Sequence, residues 1–135
     1  MSGGWRTARL EEIGTRYEPG FWDPWAREPR YGERWRSIGG HFGIRGFGVN
    51  AYDAAEGEEL IVPHTETDYG GQEELYLVVR GRARFTCDDE EVELGEGELL
   101  HVRPEVMRAA TALATPTLLL MGGGTPGQPY TLWDY

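Results

Sequence analysis

A chain of 135 residues with 39% hydrophobic content can build one domain with its own core, and that content excludes disorder for most of its length. The formal net charge is −10, which makes phosphate backbones and anionic membranes poor partners, so neither nucleic acid nor a membrane is expected. All thirteen basic residues are arginine, which excludes lysine Schiff-base chemistry and a P-loop; no nucleotide cofactor is expected.

Residues 1–36 combine Arg, Glu, Pro and aromatics. Pro19, Pro24 and Pro29 break any long helix there, and Trp22, Trp25 and Trp35 need a surface to pack on. This segment reads as an irregular aromatic arm with one short strand at most. It is expected to pack on a barrel formed by residues 37–135, or across a dimer interface. No stretch has the apolar length of a signal-peptide core or a membrane span, so a cytoplasmic location is expected.

From Gly40 onward the pattern is one of strands and turns. FGIRGFGVNAYDA alternates and breaks at AAEGEE, and ELIVPH is apolar and ends after a proline. ELYLVVRG predicts the strongest strand, with RARFTC as its hairpin partner after Gly81. EVELGEG, LLHVRP, RAATAL and TLLLMGGG complete a set of short strands at the spacing of an all-β sandwich or barrel. With 20 glycines and 8 prolines, the chain has the turns such a fold needs. The acidic runs EGEE and DDEEVELGEGE lack the residue order of a calcium loop and read as solvated turns. Cys87 is the one cysteine, so there is no internal disulfide; it reads as a packed strand residue.

The chemistry concentrates in PHTETDYGGQEELYLVVRG. On an extended chain His64 and Glu66 point the same way, and Glu74 shares a face with Tyr76 and Val78. An inward carboxylate on an apolar strand needs a partner. One imidazole and two carboxylates on converging strands suit a divalent metal, with iron, manganese, nickel and zinc all open.

This stretch resembles the first motif of the cupins: a glycine, two histidines one residue apart, a glutamate, then a glycine. His64 matches the first histidine, Glu66 stands in place of the second, and Glu74 and Gly81 keep the motif's final spacing. Gly57 stands one residue too far upstream, and the gap from Glu66 to Glu74 is longer than usual. The second motif is degenerate in GEGELLHVRPEVMRAAT: Pro104 is kept, Glu105 or Val106 replaces the glycine, and Arg108 falls where the fourth metal ligand, a histidine, normally sits. The resemblance covers roughly residues 40–122. It implies an all-β fold, the cupin double-stranded β-helix or jelly-roll barrel.

The resemblance also implies a metal set of His64, Glu66 and Glu74. Arginine cannot take the fourth place, because a guanidinium has no lone pair to donate. Two readings stay open: a three-ligand metal site, or Arg108 pairing with the carboxylates in place of a metal. His101, in LLHVRP, is a candidate ligand if it faces inward; His41, in GGHFG, reads as a loop residue. Glu74 and Arg108 are candidate catalytic residues, and Tyr76, Tyr52, Asn50, Met107 and Arg108 are candidate pocket residues.

Cupins of this size resemble small metal-dependent dioxygenases, isomerases, lyases and epimerases. The expected ligand is a small organic molecule held inside the barrel, anionic if Arg108 at the barrel mouth clamps it. The competing readings are a metal-free module that binds or senses such a molecule, and a structural homodimer with a vestigial site. A homodimer is expected in either case, since strand edges and an aromatic arm are available for pairing.

Overall fold

β-Branched and aromatic residues at alternating positions build nine strands in this computed structural model, which describes residues 4–14, 35–67 and 70–129. They are β1 (Trp35–Arg36), β2 (Gly48–Ala54), β3 (Glu59–His64), β4 (Glu73–Arg80), β5 (Arg82–Cys87), β6 (Glu90–Gly95), β7 (Leu99–Val102), β8 (Arg108–Ala112) and β9 (Thr117–Gly124). A five-stranded sheet runs β1-β2-β9-β4-β7 and a four-stranded sheet runs β3-β8-β5-β6. Every pairing is antiparallel. The chain crosses repeatedly between the two sheets, so that each protects the inner face of the other.

The inner faces follow the period of two. In β4, Glu74, Tyr76 and Val78 are buried while Leu75, Val79 and Arg80 lie outward or half-exposed. In β8, Arg108, Ala110 and Ala112 are buried. Tyr76, Phe85, Leu60, Ile61, Leu119 and Val78 are the largest fully buried apolar side chains, each contributing about 1.5–3 kcal/mol by leaving water. The rings of Tyr76 and Phe85 lie 5.2 Å apart, tilted by 54°, and join the two sheets. Small residues fill the tight places: Ala110 opposes both Ile61 and Phe85, where a larger residue would not fit at native packing density.

Trp35 and Arg36, at the end of the arm, form the edge strand β1, the one short strand allowed for there, and the ring of Trp35 lies 5.8 Å from that of Tyr52. One residue differs from the sequence expectation. His41, read as a loop residue, stands in the short helix α1 (Ile38–Phe42) and meets Phe42 edge-on at 4.9 Å. The glycines on either side masked a helix that is only one turn long and closes on Gly43 in the left-handed region. The described part of the arm is held to the sheet through Arg36, which donates to Asp53 at 2.7 Å and to the Ile13 carbonyl at 3.0 Å. Ile13 itself is buried. Pro19, Trp22, Pro24, Trp25 and Pro29 lie outside the described residues, as do the aromatics of the chain's last six positions. Among the described residues no helix is long and apolar enough to cross a membrane.

Gly81 makes the tight turn between β4 and β5. Its φ is +82°, and a Cβ there would meet the Pro116 carbonyl oxygen, Thr117 Oγ1 at 2.6 Å and Thr117 Cα at 2.8 Å. Gly57 has a similar φ of +87° but open space around it. The pair separates backbone strain from steric contact. Gly57→Ala is expected to cost about 1–2 kcal/mol, the price of the left-handed region for an L-residue. Gly81→Ala carries the same strain plus the clash with backbone atoms, and its urea midpoint is expected to fall well below that of Gly57→Ala. Equal midpoints for the two variants would refute this account of the turn.

Candidate metal centre

One end of the barrel interior is polar. Glu74 and Tyr76 project from β4 in the five-stranded sheet, and His64 and Arg108 face each other across β3 and β8 in the four-stranded sheet. The pairing of β3 with β8 slips between Ile61 and His64, three residues on β3 spanning what two span on β8. Regular alternation from Ile61 would send Pro63 inward. The bulge instead places His64 opposite Arg108, and Pro63 is tolerated because β3 is an edge strand.

Glu66 follows in the loop after β3. Its backbone is held on both sides: its N–H donates to the Pro104 carbonyl at 2.9 Å, and its carbonyl accepts from Gly71 N–H at 2.9 Å. The loops carrying the two motif stretches are thus stitched together. Glu74 lies opposite Gly123 of β9, and a Cβ on Gly123 would come within 3.3 Å of Glu74 Cγ and 2.9 Å of the Glu73 carbonyl. Gly123 therefore gives the Glu74 side chain its room. Sequence reasoning passed over it, although a triple glycine ending an apolar strand, TLLLMGGG, is a signal of close approach.

His64, Glu66 and Glu74 offer one ligand atom each, all within 4.8 Å of one another. His64 Nδ1 lies 2.7 Å from the Val62 carbonyl oxygen, which can only accept, so Nδ1 carries the hydrogen. That turns Nε2 toward Glu66 Oε1 at 3.1 Å and Glu74 Oε1 at 3.9 Å. A ring nitrogen aimed at two carboxylates is stable only with a proton or a cation between them. Ligand atoms at right angles on one ion, bound at about 2.1 Å each, lie roughly 3 Å apart. The His64–Glu66 spacing matches that, and the donor set of one imidazole and two carboxylates fits a divalent cation of the manganese, iron, nickel or zinc type.

Arg108 completes the cluster from behind. Its side chain is 0% exposed. Nε donates to the Val106 carbonyl at 3.1 Å, Nη2 to the Arg103 carbonyl at 2.8 Å, and Nη1 to Glu74 Oε1, with Glu66 Oε1 3.9 Å from Nη1. The Tyr76 hydroxyl donates to the same Glu74 oxygen at 2.7 Å. Burial raises the Glu74 carboxyl above the ordinary glutamate range, and the Glu66 charge adds to the rise; the Tyr76 hydrogen bond, Arg108 and His64 pull the other way without cancelling it. Burial, with Glu74 next to it, pushes the Tyr76 phenol far above its ordinary value, so it remains a donor.

The remaining candidates divide. Asn50 lies in register with Met121 and Tyr76, and Tyr52 with Leu119 and Val78, so both sit on the inward face of the five-stranded sheet. Met107 is not a pocket residue: it precedes β8 by one position and is 44% exposed. Arg108 does not stand at the barrel mouth but inside, with its donors turned to carbonyls and carboxylates. His101 faces away from the interior; it opposes Leu75 and binds Glu73 Oε1 at 2.7 Å on the outer surface. Cys87 opposes Arg108 in the β5–β8 register, and burial raises its thiol, which suits a packed residue.

No family model matches the sequence, and a search among curated proteins finds no match. Solved structures do resemble it. A cupin protein from Bacteroides fragilis superposes with a TM-score of 0.59 at 23% identity, over 73% of this chain and 79% of that one. The structure of KdgF from a Halomonas species gives 0.53 at 18% identity, over 59% of this chain and 69% of that one. The cupin domain of an XRE family transcriptional regulator from Enterobacter cloacae gives 0.53 at 16% identity, over 62% and 86%. The fold is that of the cupins. Within this cupin barrel the His64–Glu66–Glu74 cluster could hold a metal, and Arg108 lies against it.

The buried charges make stability depend on pH. The folded value of Glu74 is above its unfolded one, so its proton stabilises the fold; that stabilisation is complete below the ordinary glutamate value of about 4.3 and is lost as pH rises through the raised value. Removing the cation raises Glu74 further and leaves two carboxylates without compensation. Arg108→Met is therefore expected to cost about 3–5 kcal/mol in chelator-treated protein at pH 8, and less at pH 5, by urea denaturation. A cost that does not change with pH would show that Arg108 and Glu74 are not electrostatically coupled.

Proposed function

We propose that the protein is a divalent-metal cupin that acts on a small organic anion held inside its barrel, with His64, Glu66 and Glu74 as the metal ligands. The observation that carries this reading is the His64 ring. Its Nδ1–H is committed to the Val62 carbonyl, which orients Nε2 toward both carboxylates. Metal-bound histidines are held in this way, their second nitrogen donating to a carbonyl or carboxylate that fixes the tautomer and the ring.

The chain's own residues divide the remaining work. The Tyr76 hydroxyl and Arg108 both hold Glu74 Oε1, which fixes that carboxylate's position. Tyr52, Asn50 and Tyr76 stand on the inward face of the five-stranded sheet, where a small ligand held inside the barrel would meet aromatic and polar groups. A divalent metal, when bound, supplies a Lewis acid for a carbonyl or enolate oxygen.

A second reading rests on the Arg108–Glu74 contact. If the guanidinium and a proton between His64 and Glu66 close the cluster, the barrel is a metal-free module that binds a small molecule, and Glu74 is then the group placed to move a proton. The similar cupin domain of a transcriptional regulator is in keeping with a sensing role.

Metal analysis decides between them. Protein purified without chelator, or reconstituted with manganese, iron, nickel and zinc in turn, is expected to hold close to one metal per chain. His64→Ala and Glu66→Gln are expected to lose it while keeping the wild-type circular dichroism. No metal retained from any of the four ions would sink the metal reading and leave the binding module.

A further inference from the structure

Arg108 is placed to set charge and not to grip a ligand. Its side chain is wholly buried and anchored by the Val106 and Arg103 carbonyls, so it cannot swing toward a molecule entering the barrel without abandoning two hydrogen bonds and its carboxylate. It is a fixed positive charge in contact with Glu74 and 3.9 Å from Glu66. The charge count then has a consequence. As metal ligands, His64 is a neutral imidazole and Glu66 and Glu74 are carboxylates; with the Arg108 guanidinium and a divalent ion the loaded site sums to +1, inside a barrel where an unbalanced charge is costly.

We infer that Arg108 makes metal binding and anion binding interdependent: the loaded site has one excess positive charge, and a singly charged small carboxylate completes it. This rests on the metal reading given above and names the ligand's charge class. Linkage makes the effect reciprocal, so the anion must tighten the metal as much as the metal tightens the anion. It also implies that Arg108 weakens metal binding on its own, because the guanidinium competes for Glu74 and repels the ion. A site with glutamine in its place would be neutral once loaded, and would need no anion.

The probe is Mn²⁺, titrated calorimetrically at constant ionic strength into chelator-treated protein, in chloride alone, with added acetate, and with added acetamide as the neutral isostere. For the wild type, acetate is expected to lower the Mn²⁺ Kd by roughly tenfold, within the usual range of coupling between sites, and acetamide to leave it unchanged. Arg108→Gln is expected to bind Mn²⁺ more tightly in chloride and to lose the acetate effect, whereas Arg108→Lys keeps it. An equal response to acetate and acetamide, or an acetate effect that persists in Arg108→Gln, overturns the inference. If the variants do not fold, the acetate–acetamide contrast in the wild type decides alone. Mn²⁺ binding that ignores acetate removes this inference and leaves the metal reading standing; no binding of any of the four metals removes both.

Discussion

The contact between the Arg108 guanidinium and the Glu74 carboxylate constrains everything around it. The two groups stand on different sheets, and both are shielded from water. Taking a charge out of water costs several kcal/mol per ion, so neither can be buried alone or loosely. The local structure answers that requirement at each donor and acceptor. The Val106 and Arg103 carbonyls take the guanidinium's other hydrogens, and the Tyr76 hydroxyl reaches the same carboxylate oxygen. The barrel consequently has two unlike regions. Along β8 the inward residues run from Ala112 and Ala110 to Arg108, and along β4 from Val78 and Tyr76 to Glu74. One end is filled by hydrocarbon and the other by paired charges.

The cluster's charge balance explains why two departures from the cupin motif occur together. Glutamate in place of the second motif histidine adds one negative charge, and arginine in place of the last histidine adds one positive charge. A site with His64, Glu66, Glu74 and Arg108 therefore has the same formal charge as one with three neutral histidines and a glutamate. Either change alone would shift that formal charge by one unit. The positions are adjacent in space: Arg108 pairs in register with His64, and its Nη1 lies 3.9 Å from Glu66 Oε1. Coordination number is what the exchange gives up, since a guanidinium cannot bind a metal. It supplies instead a fixed positive charge beside the two carboxylates.

Much of the barrel was legible before any coordinates. Strand alternation in ELYLVVRG identified Glu74, Tyr76 and Val78 as one face, and turn residues marked where the hairpins close. These features are local: a period of two and a glycine in the left-handed region act over a few residues whatever the rest of the chain does. His41 was misread because a one-turn helix among glycines leaves too short a pattern to detect. Met107 was misplaced because proximity in sequence to Arg108 was taken for proximity in space, whereas Met107 ends the loop before β8 with its side chain exposed and Arg108 opens the strand facing inward.

The sequence by itself determined the strand pattern, the donor types at His64, Glu66 and Glu74, and the absence of a fourth metal ligand at Arg108. Only the tertiary structure decided which of these groups meet. The bulge that turns His64 inward depends on the β3–β8 pairing, the room for Glu74 depends on Gly123 of a strand nearly 50 positions later in the chain, and the burial of Arg108 depends on carbonyls of its own loop closing around it. Such contacts arise from pairing between distant strands, and one residue's slip in register would send each of these side chains to the opposite face.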